Sequence, residues 1–463
     1  MSSFPSTFER QSASIWSALG GSPEALHRLR MQGHDSLFSV FPVSDLAAAS
    51  LGVAGLALSE LMGVVRGVAP PVVVDRRLAS LWFGSSLQPQ GWALPPSWDA
   101  VAGDYRAADG WIRLHTNAPH HRAAALAVLD VPADRDAVAA AVSRRDAQTL
   151  EADVVAHGGC AAVMQSLADW GDHPQGRAVQ AEPLLHWQAH PHGAPARWQA
   201  AARRPLQGLR VLDLTRILAG PVATRWLAAY GAEVLRIDPP GWEEPGLAPD
   251  VTLGKRCARL DLACAHDRGI FEGLLARADV LVHGLRDGAL DDLGLGAAWR
   301  RGVNPGLIDV SLNAYGWSGP WRQRRGFDSL VQMSVGIADA GMRSLGRDQP
   351  VPLPLQAIDH GTGYLLAAAV VMALLRRAHG LGGSTVRASL ARTAWLLTRE
   401  GVGMPHAEAM AAAGRSDLAE TIENTGWGAA LRLRPPLDVE GVPMVWERPA
   451  CALGSSEAAW AAP

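Results

Sequence analysis

The chain has 463 residues, is 48% hydrophobic and carries a formal net charge of −3. That is more apolar material than one small core requires, so two or more substructures are expected. Basic and acidic residues are interspersed, which leaves no electrostatic footprint for nucleic acid or an anionic membrane and points to small-molecule partners. Cys160, Cys257, Cys264 and Cys451 form no CxxC pair and no Cys/His cluster with metal spacing. They read as structural thiols of a reducing compartment, with no metal site. The opening MSSFPSTFERQSAS lacks the basic-then-apolar order of a secretory leader, and the apolar stretches read as alanine-rich and too short to span a bilayer. A cytoplasmic protein without a membrane partner is expected.

Residues 1–40 read as a helical lead-in, periodic through Ile15, Leu19 and Leu26 and broken at Gly20 and Gly21. Residues 41–100 hold an alanine/leucine helix from about Asp45 to Val65, an apolar run at Val72–Val74, and the linker-like LQPQGWALPPSW. In 101–200, GDYRAADGWIRLHTN alternates around an Asp-Gly turn and predicts a hairpin, followed by helices near 121–129 and 148–168. This is a small α+β unit. A second linker, HPHGAPARWQAAARRP, leads into the main domain at 201–400, and 401–463 reads as an extended tail.

The main domain alternates strand and helix. LRVLDL (209–214), AEVLRID (232–238), ADVLVHG (278–284) and GLIDVSL (306–312) are strand-length apolar runs, with the helices PVATRWLAAYG and GIFEGLLARA between them. The economical fold is a parallel, Rossmann-like α/β sheet covered by helices. A dinucleotide fingerprint would need GxGxxG after the first strand, where only Gly220 lets a backbone phosphate approach. Asp238, at the end of the second strand, reads as a solvated turn residue.

Taken together and in order, TRILAGP, GKR at 254–256, ADVLVHGLRDGALDDLGLG, NPGLIDVSLNAYGWSGPW, GFDSLVQMSVG and IDHGTGYLLAAAVVMALLRRAHGLGGSTVRASL resemble the family III CoA-transferases over residues 206–397. This CaiB/BaiF-like family also includes the α-methylacyl-CoA racemases. The resemblance implies an acyl-CoA donor, a carboxylic acid acceptor, coenzyme A as a substrate with no tightly bound cofactor, and an interlocked homodimer. It places a covalent nucleophile on Asp359, forming a mixed anhydride and then an aspartyl-CoA thioester. It also places Ile217, Leu218, Ala219 and Arg325 along CoA and Lys255 and Arg256 on its phosphates. From spacing alone, a carboxylate capping a helix is the favoured reading of Asp359, and it is the resemblance that raises the catalytic one. The glycines after it, Gly361 and Gly363, would let backbone amides approach an intermediate.

Departures from the family pattern matter. The small domain precedes the catalytic domain instead of following it, and residues 43–82 look like a partial second copy of the aspartate helix and the strand after it. Asp359 to Trp395 spans 36 residues and Asp45 to Trp82 spans 37, so Asp45 is a rival carboxylate or a plain helix cap. His283, Gly284 and Leu285 stand where the family often has Glu-Asn-Phe, and Asp292 where it has a basic residue. Racemases resembling this chain place a histidine base where Phe327 stands, and racemisation needs two acid–base groups, so transfer is preferred. His360 is a possible modulator of Asp359. The alternatives are a 2-methylacyl-CoA racemase and a non-catalytic acyl-CoA-binding protein.

Overall fold

The computed structural model describes residues 5–190, 198–405 and 410–461; residues 191–197 of the second predicted linker lie outside them. The apolar runs of the main domain stack into one seven-stranded sheet. Its order is Lys255–Arg259, Glu233–Asp238, Arg210–Leu214, Val280–His283, Ile308–Asn313, Gly383–Ser389, His186–His190. The first six strands are parallel, and His186–His190 closes one edge antiparallel to Gly383–Ser389. That edge strand, written HWQAH, has little apolar patterning and was not expected. From Arg210–Leu214 the chain winds outward to Lys255–Arg259, then returns to the other side through Val280–His283. The reversal opens a crevice at the carboxyl ends of these two neighbouring strands, the place where open α/β sheets bind ligands.

The small α+β unit forms as expected around an antiparallel sheet of Gly103–Arg106, Trp111–Leu114 and Ala161–Val163. It has its own core, including Tyr105, Ile112, Val138 and Leu150. The helix predicted near 148–168 is shorter, Ala147–Ala156, because Gly158 and Gly159 end it and the alanine-rich run that follows becomes the third strand. Pro119 opens the first helix of the unit, Pro119–Leu129, whose first turn carries His120 and His121.

Two long helices, Val43–Arg66 and Ala357–Ala378, pack on each other at the centre of the protein. Contrary to the sequence expectation, both are long and apolar enough to cross a membrane; here 78% and 94% of their most apolar stretches are buried, so packing inside this fold accounts for the composition. They are the cores of the partial repeat. Each is followed by a strand and a short helix, Val72–Asp75 with Arg76–Trp82 and Gly383–Ser389 with Leu390–Thr398. Even the entries match: Pro42 (φ −77°, ψ 63°) and Gln356 (φ −76°, ψ 60°) cap them in one conformation, which puts Asp45 and Asp359 each third in its helix.

Gly361 and Gly363 serve packing. A Cβ on Gly361 would sit 3.3 Å from Leu46 of the repeat helix, and one on Gly363 would sit 2.5 Å from the Ala219 carbonyl oxygen. The missing side chains let the aspartate helix touch the repeat helix on one side and the loop after the first strand on the other. The tail is equally integrated. Leu437–Val439 pairs with Val72–Asp75, Gly428–Arg432 pairs with Leu87–Pro89 of the first predicted linker, and Arg432 bonds Asp250 at 3.0 Å. Gly363→Ala is expected to lower stability by about 1–3 kcal/mol, read as a lower urea midpoint; an unchanged midpoint would mean that the Ala219 backbone yields without cost.

Candidate functional site

The site begins with a buried ion pair. Asp213, fourth in the Arg210–Leu214 strand, and Lys255 are both enclosed, with Lys255 Nζ 3.0 Å from Asp213 Oδ2 and 2.9 Å from the Pro221 carbonyl oxygen. Asp213 also accepts from Thr215 N (2.9 Å) and Thr224 Oγ1 (2.6 Å). Burial alone would push its carboxyl up, but Lys255 and Arg236 outweigh that and hold it below the usual carboxylate range. The loop from Thr215 to Pro221 is thereby fixed to the sheet. Gly220 belongs to this arrangement: a Cβ there would collide with Thr215, so its glycine character makes room for protein and not for a phosphate.

The same loop carries strain. Ile217 has φ +66°, in the left-handed region that a β-branched residue rarely adopts. Its N–H is held by Glu244 Oε1 at 2.7 Å, and Glu244 is locked by Arg236 (2.9 Å) and Trp242 (2.8 Å). Asp238, expected at a solvated turn, is instead fully buried and bonded to Arg236 at 2.9 and 3.0 Å. A charge network thus imposes the conformation of a loop at the crevice.

A cleft of about 370 Å³ opens there, at the carboxyl ends of four adjacent strands. Ile217, Leu218, Ala219, Arg325 and Asp359 all line it, so five of the seven predicted residues meet in one place. Lys255 and Arg256 do not. Their backbone opens the strand, away from the cleft; the Lys255 side chain reaches back beneath the cleft-lining segment and is consumed by Asp213 and Pro221, and Arg256 bonds the Ala459 carbonyl at 2.6 Å in a separate groove of about 770 Å³. The basic residues that do line the cleft are Arg216, Arg286, Arg322, Arg324 and Arg325. Arg324 is committed to Glu151 at 2.8 Å, while Arg216 lies over Trp242 at 4.6 Å. The sequence signal for them was position: each lies in a segment that follows a strand's carboxyl end.

Asp359 is 7% exposed and opens onto this cleft. It is not the helix cap. Asp328, from GFDSL, takes the Asp359 N–H at 2.8 Å and is itself held by Gln332, whose Oε1 accepts from Leu353 N at 2.7 Å. The Asp359 carboxylate has no hydrogen-bond partner among the described residues. Burial pushes it well above the ordinary aspartate range and the Asp328 charge adds to the shift; burial also raises Asp328, to about 6. Asp328 holds the backbone of the aspartate helix, and sequence reasoning passed it over.

Asp45 differs at one decisive position. Arg76, which opens the short helix after the repeat strand, forms a forked ion pair with Asp45, Nη2 lying 3.1 Å from Oδ2. Its counterpart in the other copy is Leu390, which lines the cleft and leaves Asp359 free. His360 is buried behind the site, stacked on Phe83 with ring centroids 5.2 Å apart, and does not line the cleft. Phe327 stacks on buried His115 at 3.9 Å, and the small unit adds His120 and His121 to the cleft wall. Imidazoles therefore enter the cleft from a segment that the sequence had not connected with it. Gly284 and Leu285 line it too, whereas His283 sits 3.5 Å from Asp309 and exposed Asp292 lies 3.9 Å from Arg286.

At its sheet's switch point this α/β protein thus sets an unpartnered, buried carboxylate beside a wall that includes Arg216, Arg286, Arg322, Arg324 and Arg325. The model of CoA-transferase family III matches residues 206–425. That segment is a little under half of the chain, and over it the chain is similar to the CoA-transferases of family III. It is 36% identical over 214 residues to the acetyl-coenzyme A transferase nodX of Hypoxylon pulicicidum, covering 45% of this chain and 35% of that one. It is also 36% identical over 188 residues to the probable fatty acyl-CoA transferase Rv3272 of Mycobacterium tuberculosis, covering 38% and 47%. The chain thus spans about a third to a half of the length of these curated relatives. A solved CAIB/BAIF family protein from Brucella suis is 25% identical, covering 49% of this chain and 65% of that one, with a TM-score of 0.39.

Two outcomes follow from the geometry. Lys255→Met leaves Asp213 buried and unpaired, so it should cost about 3–5 kcal/mol of stability in chemical denaturation; a residue gripping phosphate would instead weaken CoA binding and leave stability intact. Asp359 ionises in the unfolded chain near its ordinary value but resists ionisation when folded, so the wild type loses stability relative to Asp359→Asn as pH rises above that value. Thermal melts across pH 4 to 8 should show the two proteins converging at the acid end.

Proposed function

We propose that the protein is an acyl-CoA:carboxylate CoA-transferase that works through Asp359. The observation that carries this reading is the unpartnered, buried Asp359 carboxylate in a cleft that also holds Ile217, Leu218, Ala219 and Arg325. An Asp359 oxygen attacks the thioester carbonyl, the C–S bond breaks, and CoA leaves as the thiolate, giving a mixed anhydride. The thiolate attacks the aspartyl carbonyl, releasing the donor acid and forming aspartyl-CoA. The acceptor carboxylate repeats the sequence in reverse and leaves as the new thioester, with Asp359 regenerated.

The chain's residues take definite parts in this scheme. Asp328 sets the entry of the helix, so that Asp359 faces the cleft. Arg216, Arg286, Arg322 and Arg325 replace Lys255 and Arg256 as the groups that meet the phosphates of CoA. Burial favours attack because a poorly solvated carboxylate is more nucleophilic, at the cost of resisting ionisation. The reading carries with it a cytoplasmic homodimer and coenzyme A as a substrate with no tightly bound cofactor.

Racemisation of a 2-methylacyl-CoA is the second reading, and His120 and His121 favour it by placing imidazoles in the cleft even though Phe327 offers no base. Incubation with a panel of acyl-CoAs should leave an acyl or CoA adduct on the peptide bearing Asp359, and Asp359→Ala should lower transfer by about 10³-fold or more. Asp45→Ala should keep the activity. Deuterium uptake at the α-carbon without acyl exchange would establish racemisation instead, and neither exchange nor adduct with any donor would remove the nucleophile assignment.

A further inference from the structure

Two of the four cysteines meet where the tail crosses the sheet. Cys257 is third in the edge strand Lys255–Arg259 and is fully buried, while Cys451 belongs to the tail and is half-buried. Backbone bonds lay the tail against that strand on both sides of the pair. Gly254 N–H donates to the Arg448 carbonyl at 3.1 Å, and Ser456 N–H donates to the Cys257 carbonyl at 2.8 Å. Between them, Cys451 N–H donates to Thr252 Oγ1 at 3.1 Å and Cys451 Sγ lies 3.6 Å from the Lys255 carbonyl oxygen. Cys257 packs with Ala248 and the tail residue Leu453, and Cys451 packs against the same cluster.

The two thiols are unequal. The Cys257 S–H donates to the Cys451 sulfur, and this bond, helped by Ser455 and by the charges of Lys255 and Arg236, brings the Cys451 thiol down to about 6. The same bond, together with burial, holds Cys257 well above the ordinary thiol range. At neutral pH the sulfur nearer to solvent is therefore a thiolate, and the enclosed one beside it keeps its proton. That is the arrangement of an attacking cysteine and its resolving partner. Cys160, in contrast, is buried and pushed up to about 12 by that burial, and Cys264 is simply exposed. Packing alone would not ask for a thiol at a half-buried position of the tail.

We propose that Cys451 and Cys257 form a hydroperoxide-reactive pair that closes into a disulfide, pinning the tail to the strand that carries Lys255. The Cys451 thiolate attacks the peroxide; an S–O bond forms, the O–O bond breaks, and hydroxide leaves to be protonated to water. The Cys257 sulfur then attacks the sulfenic sulfur of Cys451. The S–S bond forms, the S–O bond breaks, and the departing hydroxide takes up the Cys257 proton as a second water. Two thiols are oxidised by two electrons and one hydrogen peroxide is reduced to water. Because the bridge joins residues far apart in the chain, it restricts the unfolded state and makes the oxidised protein harder to unfold.

The test treats the full chain with a few equivalents of hydrogen peroxide, blocks the remaining thiols under denaturing conditions and maps the peptides by mass spectrometry. The expected product is a cross-link between the peptides bearing Cys257 and Cys451, lighter than their sum by two hydrogens and released by dithiothreitol. Cys451 should be consumed about tenfold or more faster than Cys264. The cross-linked protein should unfold at a higher urea midpoint than the reduced one, and reduction should remove the difference. Cys257→Ala should leave a sulfenic acid on Cys451 that dimedone traps, and Cys451→Ser should leave Cys257 unreactive. Oxidation of Cys264 ahead of Cys451, or conversion of Cys451 to sulfinic acid with Cys257 still free, would overturn the proposal. Both of these are read on the unaltered protein, so they decide even where a variant does not fold.

Discussion

Everything at the cleft depends on the enclosed pair of Asp213 and Lys255. A single carboxylate in the first strand collects the only lysine of the chain, a backbone amide and a threonine hydroxyl. Such a pair is weak evidence for stability, since desolvation offsets much of its attraction, but its partners leave the loop after the strand few alternatives. The aspartate helix then settles against that loop through the missing side chain of Gly363. The order of dependence runs from ion pair to loop, from loop to helix, and from helix to the carboxylate.

A second theme is charge held against its preference. Arg236, Asp238 and Glu244 are buried together and keep Ile217 in a strained conformation, while burial and the Asp328 charge both oppose the ionisation of Asp359. Both arrangements trade stability for a defined geometry beside the cleft. The repeat provides an internal comparison. Its helix, strand and short helix are alike in the two copies, yet Arg76 in one and Leu390 in the other make Asp45 a structural ion-pair member and leave Asp359 unpaired.

Periodicity made the four principal strands, the hairpin and the two long helices readable, because each buries a regular apolar pattern. The edge strand His186–His190 and the short strand Ala161–Val163 were not readable, since neighbours and not their own composition make them strands. Motif order brought Asp359, Ile217, Leu218, Ala219 and Arg325 to one cleft. It put Lys255 and Arg256 with them, whereas their side chains bond protein groups and are absent from the cleft lining, which a motif alone does not reveal. His121 and Asp328 were invisible as site residues for a related reason: one comes from a separate unit, and the other acts by holding a backbone amide 31 residues along the chain.

The pairing of Val72–Asp75 with Leu437–Val439 joins the first quarter of the chain to its last few dozen residues. During synthesis the repeat helix and its strand emerge some 360 residues ahead of Leu437–Val439 and must wait, their apolar faces uncovered, until that segment has been made. Loop-closure entropy for so distant a contact delays the step further. The aspartate helix rests on that same repeat helix, so the half that bears the cleft cannot be completed ahead of residues 437–439. Maturation of the cleft is therefore a late, whole-chain event, and chaperone dependence would fall on the N-terminal third.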